Sequence, residues 1–283
     1  DEGYYTLHIG AADMGTGCDT ILAQMAAECL DCEVDDIVVF GADSDASPYD
    51  SGSYASSTTY VTGKAVEQAC AKLKDNLCLL AMTKLNCKKE ECEFTGQGVK
   101  NIVTGEMIYL KDLSTASMVA NNIETQVTVT HSSPVSPPPF MVGMVEIELD
   151  KETGQVDILD YVAVVDCGTV INSNLAKIQT EGGLVQGIGM ALYENVQYSP
   201  KGEIAENSLM QYKIPTRLDM GKLRVEFESS YEPTGPFGAK SIGEIVINTP
   251  SPAIANAIYR ATGVYLKDLP MTPEKVLMAI DGE

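Results

Sequence analysis

Basic charge is scarce in this 283-residue sequence: 19 lysines and arginines stand against 40 acidic residues, for a net charge of -21. Binding to nucleic acid or to an anionic membrane face needs clustered cations, so both are excluded as expected partners. There is no apolar run long enough to span a bilayer and no signal-peptide pattern. Histidine is almost missing, with two in all, and neither lies near the closely spaced pairs Cys29/Cys32 and Cys87/Cys92. That argues against a structural zinc site at those pairs. The eight cysteines lack the spacing of an iron–sulfur ligand set, and no flavin fingerprint or fixed-period repeat is found. The cysteines are read as free thiols, which places the expected location in a reducing cytoplasm.

What is present is an ordinary globular balance, 45% hydrophobic and 21% charged, in a chain long enough for one large domain or two small ones. Tyr4–Ile9 already reads as a strand, so the rest of the fold is expected on another chain or outside this segment. The small-residue loop Gly10–Gly17 follows, and helical periodicity then runs from Thr20 to about Leu30. Ile37–Phe40 reads as a buried strand, 43–52 as a turn-rich loop, and Tyr60–Leu85 as a long helix. Mixed turns, short strands and a helix near Leu113–Ala120 come next. The alternation of Met141–Leu149 and Val156–Val165 around Asp150–Gly154 predicts a hairpin. Leu175–Tyr193 fits a helix, Val196–Ser199 and Leu223–Glu228 fit strands, and helices are cued by Ser251/Pro252 and by Thr272/Pro273. The expected class is α+β with two mixed subdomains, 1–131 and 140–283, joined by the proline-rich connector 132–139.

Four stretches carry candidate chemistry. Strand, Gly10–Gly17, helix is a layout that can hold a ligand on first-turn N–H groups, but no lysine is present to meet a triphosphate. The hydroxyl run Ser53–Thr59 exceeds what one helix cap needs, and offers short neutral donors to a heterocyclic or anionic ligand. Gly182, Gly183, Gly187 and Gly189 interrupt a helix around Gln186, which implies close approach of another backbone or a ligand. Last, Gly238-Ala239-Lys240-Ser241-Ile242-Gly243-Glu244 sets a carboxylate on a glycine-loosened loop just before a helix.

In order and spacing these stretches resemble the molybdenum hydroxylases, the xanthine dehydrogenase and aldehyde oxidase family. The resemblance covers essentially the whole chain and points to the C-terminal half of the molybdopterin-binding region. In nicotinate dehydrogenase-like members that half is a separate subunit. It implies that Gly15, Thr16 and Gly17 cradle the pterin, and that Ala55, Ser56, Ser57 and Thr58 line it. It further implies that Gln186 stands near the cofactor and that Glu244 is the active-site base, with no side chain of this chain ligating the metal. Thr16 departs from the glutamine of many members, and Ser241 from a glycine or alanine. The implied reaction inserts oxygen from water into a C–H bond of a purine- or nicotinate-like heteroaromatic, or of an aldehyde. The implied cofactor is molybdenum–molybdopterin, plain or as the cytosine dinucleotide. The implied partners are the N-terminal molybdopterin-binding half and domains or subunits carrying 2Fe-2S clusters and FAD. Two alternatives stay open: a non-catalytic assembly or cofactor-insertion protein of the same fold, and a nucleotide-binding enzyme using the Gly15–Gly17 loop.

Overall fold

The computed structural model describes residues 4–117 and 124–282. It is α+β and divides into two compact units. The first comprises the described residues up to Pro137 together with Glu232–Ser241; the second comprises Pro138–Tyr231 with Ile242 onward.

The first unit opens with β1 (Tyr5–Ile9), α1 (Cys18–Leu30) and β2 (Ile37–Gly41), the two strands pairing parallel with Tyr5 opposite Ile37. A helix must intervene between parallel neighbours, and α1 does so with Leu22, Met25, Ala26 and Leu30 buried. α2 (Gly63–Leu85) packs on α1. A β-carbon on Gly63 would meet Met25 Sδ at 2.7 Å, and the Cys29 thiol hydrogen-bonds to that of Cys70. Contacts therefore advance along both helices in the same sense, and the two N-termini lie toward one end of the unit. A wider turn, Thr58–Thr62, precedes α2, so the helix starts three residues later than the pattern predicts. A small antiparallel sheet of β3 (Cys92–Thr95), β4 (Gly98–Asn101) and β5 (Met107–Tyr109) leads into α3 (Leu110–Ser117). These close a local core of Leu77, Leu80, Ala81, Leu85, Val99 and Leu113. The end of the helix predicted near Leu113–Ala120 lies outside the described residues.

The second unit is built on β6 (Phe140–Leu149) and β7 (Val156–Asp166), an antiparallel hairpin with a bulge at Glu146/Ile147, and β8 (Lys222–Phe227), parallel to β7. Gly154, at φ 74°, closes the hairpin by donating to the Asp150 carbonyl at 2.8 Å. One face of the sheet buries Tyr161 and Ala163 with Leu184, Ile188 and Ala191 of α4 (Ser173–Leu192), Ile254 and Ile258 of α5 (Pro250–Thr262), and Val276 of α6 (Pro273–Asp281). The Asn172 side chain caps α4 by accepting from Leu175 N at 3.0 Å. Two local expectations fail. Val196–Ser199 is not a strand, and only the isolated bridge Tyr198–Ile204 forms there. α5 begins at Pro250, before the predicted cap Ser251, because a proline at the first helical position needs no N–H partner.

Three of the four α4 glycines are explained by packing. A β-carbon on Gly183 would lie 1.9 Å from Val246 Cγ2; on Gly187, 2.6 Å from Pro250 Cγ and 2.9 Å from the Ile247 carbonyl; on Gly189, 2.2 Å from a Glu194 carboxylate oxygen. Gly182 is exposed and meets nothing. Gly187→Ala should therefore destabilise by about 1–2 kcal/mol, overpacking outweighing the gain in helix propensity. Gly182→Ala should stabilise by about 0.5–1 kcal/mol. Urea unfolding of the two variants measures both, and equal effects would refute this reading of the glycines.

Candidate functional site

The structure places the predicted site residues in both units: Gly15, Thr16, Gly17 and Ala55–Thr58 in the first, Gln186 and Glu244 in the second.

In the first unit the Gly15–Gly17 loop feeds the N-terminus of α1. Its organiser is Asp13, a residue the sequence reading passed over. The Asp13 carboxylate accepts from Gly15 N at 2.9 Å and from Gly17 N at 3.1 Å. Slight burial pushes its pKa up, but the backbone N–H groups of Gly15, Gly17, Asp19 and Thr16 outweigh that and leave it lowered. The signal was an aspartate two residues before a glycine, the pattern of a side chain that bonds the backbone ahead of it. Gly15, at φ 100°, and Gly17, at φ 75°, take a left-handed backbone that favours glycine. The Thr16 hydroxyl oxygen is buried and lacks a well-formed hydrogen bond; the Cys18 thiol, pushed up to about 11 chiefly by burial, is the polar group beside it.

The hydroxyl run is adjacent to this loop through its neighbours. A β-carbon on Gly10 would lie 2.2 Å from the Pro48 carbonyl and 2.7 Å from Asp50 Cβ. Asp50 accepts from Gly52 N at 2.8 Å and from Thr62 Oγ1 at 3.0 Å, tying both ends of 52–62. Within the run, Ser53 Oγ and Thr58 Oγ1 share a hydrogen bond of 2.7 Å, and Ser57 Oγ donates to the Gly52 carbonyl at 3.4 Å. Ala55 (φ 51°) and Ser56 (φ 56°) are both left-handed. Such conformations cost about 1–2 kcal/mol per non-glycine residue, and they cluster at ligand clamps. The excursion Glu232–Ser241 packs here too: Tyr60 is buried, and its hydroxyl bonds Thr234 Oγ1 at 2.7 Å. Phe237 is left-handed at φ 52° and Gly238 at φ 84°.

In the second unit Glu244 opens a short 3₁₀ turn, Glu244–Ile247, immediately after Gly243. Val246, in the same turn, is buried against Gly183, and Ile247 and Pro250 sit on Gly187. Gln186 stands between those two glycines in sequence, on α4, and both Gln186 and Glu244 are exposed. The same packing thus fixes the helix that bears the amide and the turn that bears the carboxylate.

This donor set tests what could be held. The Asp13 carboxylate already takes the N–H groups of Gly15 and Gly17 in the loop before α1, so a phosphate there would face a negative charge. The other polar groups at this end are neutral: the Thr16 hydroxyl, the Ser56–Thr58 hydroxyls and the glycine backbone. These fit a neutral, hydrogen-bonding heterocycle such as a pterin better than a nucleotide phosphate.

Residues 1–221 match the family model described as a molybdopterin cofactor-binding domain, and the chain belongs to that family, within the molybdenum hydroxylases. It is similar to a protein of Escherichia coli strain K12 named "Probable hypoxanthine oxidase XdhD", 32% identical over 99% of this chain and 29% of that protein. It is likewise similar to the gamma subunit of the 6-hydroxypseudooxynicotine dehydrogenase complex of Paenarthrobacter nicotinovorans, 32% identical over 99% of this chain and 36% of that subunit. Among solved structures, quinoline 2-oxidoreductase from Pseudomonas putida 86 superposes with a TM-score of 0.85 at 26% identity, covering 98% of this chain and 36% of that one. The chain thus spans about a third of the length of the relatives it matches. Among the described residues, no helix is long and apolar enough to cross a membrane.

The Asp13 anchor gives a first test. A depressed native pKa contributes stability that is full above the unfolded-state value and lost as pH falls through the native one. Asp13→Ala should raise hydrogen exchange at Gly15 and Gly17 by about ten-fold or more at pH 7. Acidification below the usual carboxylate range should lower the protection of the same two amides, measured against intrinsic exchange at that pH, in the unaltered chain. Unchanged exchange in both experiments would show that the loop holds its shape without Asp13.

Proposed function

We propose that this chain is the part of a molybdenum hydroxylase that holds molybdopterin along Gly15–Gly17 and Ala55–Thr58 and presents Glu244 as the general base. The observation that carries the reading is the seating of the Glu244–Pro250 segment on Gly183 and Gly187 of the helix that bears Gln186. Bound molybdenum would supply the two-electron redox chemistry and the site at which oxygen from water is delivered. The chain's own residues bind and orient. The Gly15–Gly17 backbone and the Ala55–Thr58 stretch line the pterin, Ser57 and Thr58 offering it acceptor lone pairs beside the hydrogen bonds they already make, and the Gln186 amide both donates and accepts beside it. The Glu244 carboxylate takes up the proton released when the water-derived oxygen becomes nucleophilic. The reach of a general base is about 2.6–3.2 Å or one bridging water, and Gly243 leaves the backbone free to aim it.

The relatives' names include a hypoxanthine oxidase, a 6-hydroxypseudooxynicotine dehydrogenase and a quinoline 2-oxidoreductase. These support a nitrogen heteroaromatic as one substrate class, and the aldehyde oxidoreductases among the relatives keep an aldehyde as the other. The cofactor is molybdopterin, plain or as the cytosine dinucleotide, with 2Fe-2S clusters and FAD on other domains or subunits carrying electrons away. The further protein proposed here is the N-terminal molybdopterin-binding half, since the chain spans about a third of the length of the relatives it matches.

Glu244→Gln keeps shape and hydrogen-bonding reach but cannot accept a proton. In the assembled enzyme it should leave molybdenum content unchanged and lower turnover by about 10²–10⁴. Glu244→Asp should recover little, since it falls one methylene short. Near-normal turnover of Glu244→Gln at full molybdenum loading would make another group the base. An unaltered complex that is fully loaded with molybdenum and does not turn over would instead favour the reading as an assembly protein.

The 283-residue chain supplied alone with cofactor should show no turnover. Activity should appear when it is co-expressed with a molybdopterin-binding N-terminal half and its electron carriers. Steady-state turnover by the isolated chain would remove the partner requirement.

A further inference from the structure

Away from the candidate cofactor site, the turn between α2 and β3 brings two thiols into contact. Asn86 ends α2 in a left-handed conformation, and Cys87 N still reaches the Met82 carbonyl at 3.2 Å. The next four residues fold into a tight turn: Glu91 N donates to the Lys88 carbonyl at 3.0 Å, and Lys88 N donates back to a Glu91 carboxylate oxygen at 2.9 Å. Chain reversal then delivers Cys92, the first residue of β3, with its Sγ 3.3 Å from that of Cys87. Both cysteines are free and only half-buried, at the border of the Leu77–Leu85–Val99–Leu113 core. The other thiol pair in hydrogen-bond contact, Cys29 with Cys70, has a buried member, and Cys78 near the turn is buried as well. Local packing does not demand two sulfurs here, since one buried thiol serves a core as a small apolar group.

We propose that Cys87 and Cys92 are a redox modification site that closes into an intramolecular disulfide when the protein meets a low-molecular-weight disulfide such as oxidised glutathione. The Cys87 thiolate attacks one glutathione sulfur, forming a mixed disulfide and releasing the first glutathione as its thiol. Cys92 then attacks the Cys87 sulfur and expels the second glutathione. The two protons shed by the cysteines end on the two glutathione thiols; two cysteines are oxidised and one glutathione disulfide is reduced. Burial, then contact with Cys87, pushes the Cys92 thiol up to about 12, so Cys92 is the poorer first nucleophile. Acting second, it attacks a sulfur already beside it, where proximity replaces an intermolecular encounter. A disulfide needs about 2.05 Å between sulfurs, and the hydrogen-bonded turn holds both cysteines within a small adjustment of that distance. Closure would staple the C-terminal end of α2 to the β3–β4–β5 sheet, and reduced glutathione would reopen it.

The test uses the full chain in glutathione buffers of graded redox ratio, quenched with a thiol-alkylating reagent and mapped by non-reducing peptide mass spectrometry. The expected product is a linked Cys87–Cys92 peptide, at least about ten-fold more abundant than any other cysteine pair, and lost on return to reduced glutathione. Cys92→Ser should trap glutathione on Cys87 instead. Full alkylation of both cysteines after oxidation would overturn the proposal. So would preferential linkage of Cys29 to Cys70 or of Cys78 to Cys92, or a Cys92→Ser protein with no glutathione on Cys87.

Discussion

The second unit depends on one close approach, that of the Glu244–Pro250 segment to α4. A helix surface ordinarily keeps a neighbour 8–10 Å from its axis, and the distance falls only where side chains are missing. Gly183 and Gly187 lie four apart, hence on one face, and the missing β-carbons admit Val246, the Ile247 carbonyl and the Pro250 ring. A second contact secures the same segment from the sheet side. The buried Tyr161 hydroxyl donates to Thr249 Oγ1 at 2.9 Å, across a gap that a side chain on Gly143 would fill. Thr249 is therefore spent on Tyr161 rather than on capping α5, and the helix starts at Pro250 without a side-chain cap. Pinned from two sides, the short turn before it gives Glu244 a fixed place to leave from.

The first unit is arranged around two loops that meet at neighbouring helix starts. Parallel β1 and β2 force α1 into a crossover, and α2 runs alongside in the same sense. Two loops therefore emerge at neighbouring helix starts. Unsatisfied N–H groups there would draw any anion. Asp13 takes the N–H groups of Gly15 and Gly17 just before α1, while Ala55 and Ser56 hold left-handed conformations between Gly52 and Thr62, both bonded to Asp50. The result is an end lined with hydroxyls and bare backbone, which on the proposed reading would meet a ligand by hydrogen-bond geometry rather than by charge.

Much of this was legible in the sequence where the signal is local. The β6–β7 hairpin, α4 and the proline-started α6 follow alternation, periodicity and capping residues that act within a few positions. The site stretches stood out for a related reason: glycines inside a helix, and more hydroxyls than one cap uses, are costs without a local benefit. What sequence did not give depends on partners far along the chain. Nothing near Val196–Ser199 signals that its alternation lacks a neighbour to pair with beyond Ile204. Nothing near residue 232 signals that Glu232–Ser241 leaves its sequence neighbours to pack on Tyr60 and Gly63, where Pro236 Cγ would stand 3.0 Å from an added β-carbon. Asp13 and Asp50 were missed because an aspartate in a glycine-rich loop looks like any surface carboxylate until its N–H donors are seen.

The remaining tension lies in the exposure of Gln186 and Glu244. An exposed carboxylate shares its hydrogen bonds with water, and water both screens its field and competes for the proton it should take. A general base works best where neighbouring atoms exclude that competition. On α4, Gly182 precedes Gln186 by four residues and Met190 follows it by four, so the three share one face. Gly182 has open space beyond it, and Met190 is 46% exposed. A glycine facing open space gives nothing to the fold that alanine would not improve, and an exposed methionine beside it is an apolar surface awaiting cover. Those costs make physical sense if that face is closed by something this chain does not itself place there. On the proposed reading the rigid α4 contact has a use: it would hold carboxylate and amide in fixed positions while a covering group kept water from them.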